Sequence, residues 1–280
     1  MTILRAAFAW QSRAVLGRHV RVALRNWHIV TVPPVCEPII MLLAFGIGLG
    51  GQIGTIEWRG QTLDYLHYLA PGILAYTTFM SSFFQSLFGA FMRMHFQRSW
   101  EGQLTTQVRI EHVVWGEAFW AATLATTYAV IVGLVLGGFG VAGMLSMHWL
   151  WLPLTVPLLF LCALAFSAVG LYFTSILPSI DHMSLPFFLV IMPIAFASST
   201  YFPLPEIAVV KAVAAVNPLH HLAEGLRELL LRGVPTMQLL YSALLCVLLI
   251  AALIPLDLRL LRRRVLGESG SSEPAEAQRS

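Results

Sequence analysis

Only 11% of this 280-residue chain is Asp, Glu, Lys or Arg, while 58% is hydrophobic and the mean hydropathy is +0.75. A soluble domain carries about 25% charged residues, so a chain this poor in charge cannot clothe a water-facing surface and belongs in lipid. The formal net charge is +3, and no nucleic-acid partner is expected.

Residues 1–28 hold Arg5, Arg13, Arg18, Arg21 and Arg25 and no acidic residue. These arginines interrupt any apolar core before Ile29, which argues against a cleavable signal peptide. On a helix, Leu4, Phe8, Val15 and Val22 would form an apolar stripe, with Arg18, Arg21 and Arg25 on a neighbouring face. That pattern predicts an amphipathic helix in the headgroup layer, its arginines toward lipid phosphates. A flexible basic arm is the alternative.

Six membrane spans are predicted, at 29–50, 68–90, 117–139, 150–176, 185–200 and 239–258. The expected fold class is therefore an all-α integral membrane protein with a membrane domain at 29–258. Span one opens with VPPVCEPII, where Pro33 and Pro34 suit a helix start and Glu37 sits just inside. An intramembrane carboxylate is a functional candidate by default, although Glu37 is shallow enough to serve structure at the interface. GIGLGG, residues 46–51, matches a dinucleotide-binding pattern in letters only, because it ends a membrane helix. Its glycines read as close-packing positions.

In span two, Thr78, Ser81, Ser82 and Gln85 stand at i, i+3, i+4 and i+7 and share one face. Facing lipid they would be costly, so they line either another helix or a wet pathway. A pathway of hydroxyls and an amide amid Phe83, Phe84 and Phe88 would suit an amphipathic or sugar-bearing solute. The loop at 91–116 follows, with Arg93 just before, and Arg98, Glu101, Arg109 and Glu111 within, the stretch HFQRSWEGQLTTQVRIEHVVWGE. Spans four and five contain prolines, and span five ends in Ser198, Ser199 and Thr200, further candidates for lining a path.

Between spans five and six, residues 201–236 hold two short helix-like pieces divided by Asn217-Pro218. Either they re-enter the outer leaflet and turn back, buried against protein, or they lie on the surface. Residues 259–280 begin with Arg259, Arg262, Arg263 and Arg264 and end in GESGSSEPAEAQRS, expected to be a disordered tail. Basic residues thus crowd into the N-terminal segment, the 91–116 loop and the tail, leaving Arg59, Lys211, Arg227 and Arg232 elsewhere. The positive-inside rule puts both termini and that loop in the cytoplasm.

Several chemistries lack their residues. Cys36, Cys162 and Cys246 fall in apolar runs at no short spacing, which argues against a disulfide framework or zinc cluster and predicts buried thiols. His220, His221 and Glu224 form no H-E-x-x-H, so no metal site is expected. No G-x-S-x-G or intramembrane carboxylate pair occurs, and no catalytic residue is assigned. Lys211 is the single lysine and follows no glycine-rich loop, so the chain has no Walker A motif. ATP would have to be bound by another chain.

EPIIMLLAFGIGLG (37–50), YLAPGILAY (68–76), FMRMHFQRSWEGQL (91–104), MPIAFASSTYFPL (192–204) and NPLHHLAEGLREL (217–229) together resemble the membrane subunit of a type 2 ABC exporter. Within that superfamily they look most like the permeases of nodulation-factor, or lipo-chitooligosaccharide, exporters, with similarity from about Arg18 to Arg264. The resemblance implies six spans, an interfacial helix, re-entrant helices before the last span, and a cytoplasmic coupling helix whose core maps onto Arg98, Glu101 and Leu104. It implies a homodimer in the bacterial inner membrane, joined by two copies of a separate ATPase that carry the ATP and magnesium. It implies export of a lipo-oligosaccharide or polysaccharide; a multidrug efflux permease is the alternative, and a membrane-embedded transferase a more distant one. The family's loop commonly continues with a proline where Thr105-Thr106-Gln107 stands here, and Ser198-Ser199 replaces a family glycine.

Overall fold

The computed structural model describes residues 3–268, and helices dominate it. The N-terminal segment forms α1 (Ile3–Ala7) and α2 (Trp10–Arg25), separated by a break at Phe8-Ala9. Next come α3 (Trp27–Ile53), a hairpin of β1 (Thr55–Trp58) and β2 (Gln61–Asp64), and α4, helical without interruption over 65–96. A six-residue helix, α5 (Ser99–Leu104), precedes α6 (Ile110–Val141). The remaining helices are α7 (Trp149–Ile176), α8 (Ile180–Phe196), α9 (Ala208–Val216), α10 (Pro218–Arg232) and α11 (Met237–Glu268).

By length and composition, α3, α6, α7 and α11 can cross a membrane. α4 is long enough, but its tyrosines, threonines and serines lower its hydropathy, and the apolar helix α8 is short. α7 is the central helix, packed against α4, α6 and α11, and about 61% of its most apolar window is buried. α3 and α11 are peripheral, at 22% and 17%.

Prolines shape α3 in a way the sequence reading did not anticipate. Pro33 and Pro34 lie inside the helix rather than at its start. Pro34 has no N–H to give the Val30 carbonyl four residues earlier. The Tyr128 hydroxyl of α6 donates to that carbonyl instead. A membrane helix keeps its proline when a neighbour satisfies the freed acceptor.

Three boundaries move. α6 begins at Ile110 and not at 117, so Glu117 lies two turns inside the helix. α11 runs on past 258 and carries Arg259, Arg262, Arg263 and Arg264 as helix; the tail beyond 268 is outside the described residues. The expected short span five is present only as α8, which mixes 3-10, α and π turns. The hairpin is an addition to an all-α expectation. Its strands pair Thr55 with Asp64 through Trp58 with Gln61 around Arg59 and Gly60, both at positive φ, the conformation of a tight two-residue hairpin turn.

Asn217-Pro218 does divide two helices. The Asn217 side chain accepts from Leu219 N at 3.0 Å, capping α10, while Pro218 fills the first position where no N–H is needed. Asn217 Nδ2 donates to Ile194 O at 2.8 Å and Ala197 O at 3.2 Å, tying the start of α10 to the end of α8.

Candidate coupling site and adjoining cavity

The charged stretch after α4 is built around a reversal. Arg98 adopts a left-handed conformation, φ 46°, which turns the chain from the end of α4 into α5. This orientation leaves Arg98 and Glu101 exposed, with Phe96 beside them 61% exposed, while Leu104 packs half-buried against the core. Trp100 is fully buried behind that surface.

Trp100 leads to a carboxylate that the sequence reading left unassigned. Its Nε1 donates to Glu117 Oε1 at 3.0 Å, and Glu117 itself has no exposed surface. Arg93, near the end of α4, donates from Nε to both carboxylate oxygens at 3.0 and 2.9 Å and from Nη2 to Oε2 at 2.6 Å. His19 of α2 brings Nε2 within 3.3 Å of Oε1, and its ring stacks on Trp120 at 5.6 Å. A buried carboxylate is tolerable only when both oxygens are this well provided for. One side chain therefore joins α2, α4, α5 and α6.

Close packing holds α2 against the same place. A Cβ on Gly116 would fall 2.4 Å from Val15 Cγ1, so only glycine lets α2 approach α6 this closely. Trp115 Nε1 donates to Ile3 O at 3.1 Å, adding α1 to the contact. The predicted interfacial helix is thus docked on protein along one face, while Leu4, Phe8, Trp10 and Leu24 stay exposed. The three arginines diverge: Arg21 and Arg25 are exposed, whereas Arg18 is half-buried and faces a cavity.

That cavity, about 750 Å³, lies between α2, α3 and α4. Arg18, Arg93 and Glu37 supply its charge, Ser81 and Gln85 its neutral polar groups, and Met80, Phe84 and Phe88 an apolar wall. The polar stripe of α4 is consequently split. Ser81 and Gln85 line the cavity, while Ser82 donates to Ala163 O of α7 and Thr78 donates back to Leu74 O at 3.0 Å, both buried.

Ser198, Ser199 and Thr200 do not line it. All three are buried in a separate knot around Arg227, which is itself fully buried on α10. Arg227 donates to Tyr68 O at 2.8 Å, Ser199 O at 2.5 Å, Thr200 O at 3.0 Å and Glu224 Oε1 at 2.5 Å, and lies 3.8 Å over the Tyr68 ring. Ser199 Oγ and Trp58 Nε1 each donate to Glu224 at 2.9 Å, and Arg59 pairs with Glu228. Burial works against the Glu224 charge, but the Arg227 guanidinium holds this carboxyl below its ordinary value. The hairpin, α4, the end of α8 and α10 are clamped together here. Sequence reasoning assigned Arg227 and Glu224 no such role, because apart from each other their partners Trp58, Tyr68 and Ser199 lie far away along the chain.

A family model described as ABC-2 type transporter matches residues 11–231. The chain belongs to the ABC-2 type transporter family. It is similar to Nodulation protein J of Rhizobium leguminosarum bv. trifolii, 34% identical over 82% of this chain and 84% of that one. Nodulation protein J of Rhizobium meliloti (strain 1021) is 32% identical over the same shares, and the inner membrane transport permease YadH of Escherichia coli (strain K12) is 21% identical over 77% of this chain and 80% of its own. As an ABC-2 permease, the chain is the membrane subunit of an ABC transporter, distinct from the ATPase subunit it works with.

Proposed function

We propose that this permease is half of an exporter in the bacterial inner membrane, with two copies facing each other above two ATPase subunits and both termini cytoplasmic. In this reading α4 and α8 join the four long apolar helices as membrane spans, giving six, and α9 and α10 re-enter the outer leaflet. In this reading the cargo is an amphipathic lipo-oligosaccharide or polysaccharide, as the resemblance to nodulation-factor exporter permeases implies.

The observation that carries the reading is the Glu117 knot directly behind α5. ATP binding and hydrolysis move the ATPases, and that motion must push on something stiff. Arg98 and Glu101 offer an exposed charged handle, and Trp100, on the opposite face, is bonded to the carboxylate that also holds α2, α4 and α6. A push on α5 therefore displaces α2 and α4, which are two walls of the cavity. Coupling of this kind is a difference in contacts between two states. The cavity supports the choice of cargo: Arg18, with Ser81 and Gln85, suits a polar head, and the phenylalanines suit a chain.

The handle is tested by Arg98→Ala and Glu101→Ala in the reconstituted complex. Both variants should insert and assemble, and should hydrolyse ATP without moving cargo. Export at the normal rate would remove the coupling assignment.

A further inference from the structure

Two of the three thiols meet, although 84 positions separate them. Cys162 lies near the middle of α7 and Cys246 in the interior of α11; both are fully buried, and their sulfurs are 3.3 Å apart. Cys36, by contrast, is exposed on α3. Ser242, one turn before Cys246, has its Oγ 3.4 Å from Cys162 Sγ and donates to Pro218 O at 3.2 Å. Because the Ser242 proton is committed to Pro218, the bonds run in one direction: Cys246 S–H to Cys162, Cys162 S–H to Ser242, Ser242 O–H to the first residue of α10. Sequence spacing hid this pair, since it exists only once α7 and α11 pack.

A disulfide has its sulfurs about 2.05 Å apart, so the two sulfurs at 3.3 Å have little farther to approach. We propose that Cys162 and Cys246 are a modification site, an oxidisable dithiol that a hydroperoxide dissolved in the bilayer converts into a bond between α7 and α11. A thiol buried in apolar surroundings is ordinarily unreactive, because burial disfavours the thiolate that acts as nucleophile. A lipid hydroperoxide partitions into the layer where this pair sits, and local opening of α7 from α11 would admit it to the two sulfurs.

The chemistry balances. Cys162 sulfur attacks the terminal peroxide oxygen and the O–O bond breaks; the alkoxide leaving group takes the Cys162 proton and departs as an alcohol. Cys162 is then a sulfenic acid. Cys246 sulfur attacks it, forming the S–S bond and breaking S–O, and the hydroxide released takes the Cys246 proton to give water. Two thiols lose two electrons, and the hydroperoxide gains them. An adjacent second thiol captures the sulfenic acid before further oxidation. The product would fix α7 to α11 one turn from the contact that holds α10, independently of what the permease carries.

The single lysine makes the test direct, because Lys211 lies between the two cysteines. Membranes containing a Cys36→Ser chain are treated with cumene hydroperoxide, blocked with N-ethylmaleimide, denatured, and cut with an endoproteinase specific for lysine. The expected result is that fragments 1–211 and 212–280 migrate as one linked species, separate on adding dithiothreitol, and are never linked in Cys162→Ser or Cys246→Ser chains. Fragments that run apart without reductant would overturn the proposal. So would a link that survives in either serine variant, or sulfonic acid in place of a disulfide on mass analysis.

Discussion

Glu117 shows what a single buried charge can do when every partner comes from a different helix. Its oxygens are satisfied by Arg93 and Trp100, with the His19 imidazole at ion-pair distance. Removing one partner of such a buried pair costs about 3–5 kcal/mol, because the other charge is left alone, whereas replacing both by apolar groups can be neutral. Glu117→Gln should therefore lower the melting temperature in detergent clearly. Arg93→Met with Glu117→Met should recover much of that stability. If the knot transmits motion, the double variant will still fail to couple ATP hydrolysis to export; a double variant that regains both would make the knot structural only. The sequence marked Arg93 and Glu117 as polar residues at the edges of membrane spans. It could not pair them, because the pairing depends on α4 and α6 lying side by side.

At the scale of elements, the apolar runs were legible and their ends were not. A hydropathy window leaves Glu111 and His112 in the loop and starts the span at Glu117, yet all three belong to the first turns of α6, where the Glu117 charge is satisfied from other helices. The β-hairpin was equally hidden: Thr55–Trp58 is short, and its turn uses Arg59 at positive φ, where asparagine or aspartate would have signalled it. Asn217-Pro218 was legible because cap and proline are local signals. The proline-bearing α3 gives a test at this scale. Tyr128→Phe should destabilise the fold by about 1–3 kcal/mol, the usual penalty for leaving a buried acceptor without its donor. Pro34→Ala restores an N–H for the Val30 carbonyl, so adding it to Tyr128→Phe should return most of the loss. A melting series over the wild type, both single variants and the double variant measures this directly. Independent, additive losses would mean that Tyr128 is not substituting for the missing backbone bond.

For the whole molecule, the proposed pairing of two copies requires a contact side, and the uneven burial of the helices bears on which side that is. α7 is the buried centre, and both α3 and α11 present long apolar faces outward. α3 is one wall of the cavity, whereas α11 packs on the far side, against α7 and α10. A second permease laid on α3 would close the cavity into a shared path; one laid on α11 would leave the cavity facing lipid. Lipid is therefore expected to cover α11 and a partner copy to cover α3. Single cysteines at Leu43 or Ile47 on α3, and at Leu244 or Leu248 on α11, probe the two faces in a chain freed of its native cysteines; all four positions are exposed in the single chain. Mild oxidation in membranes should join two chains through the α3 positions, giving a species of twice the mass, and leave the α11 variants single. The reverse pattern would move the interface to α11 and take away the argument that two copies enclose a common pathway beside α4.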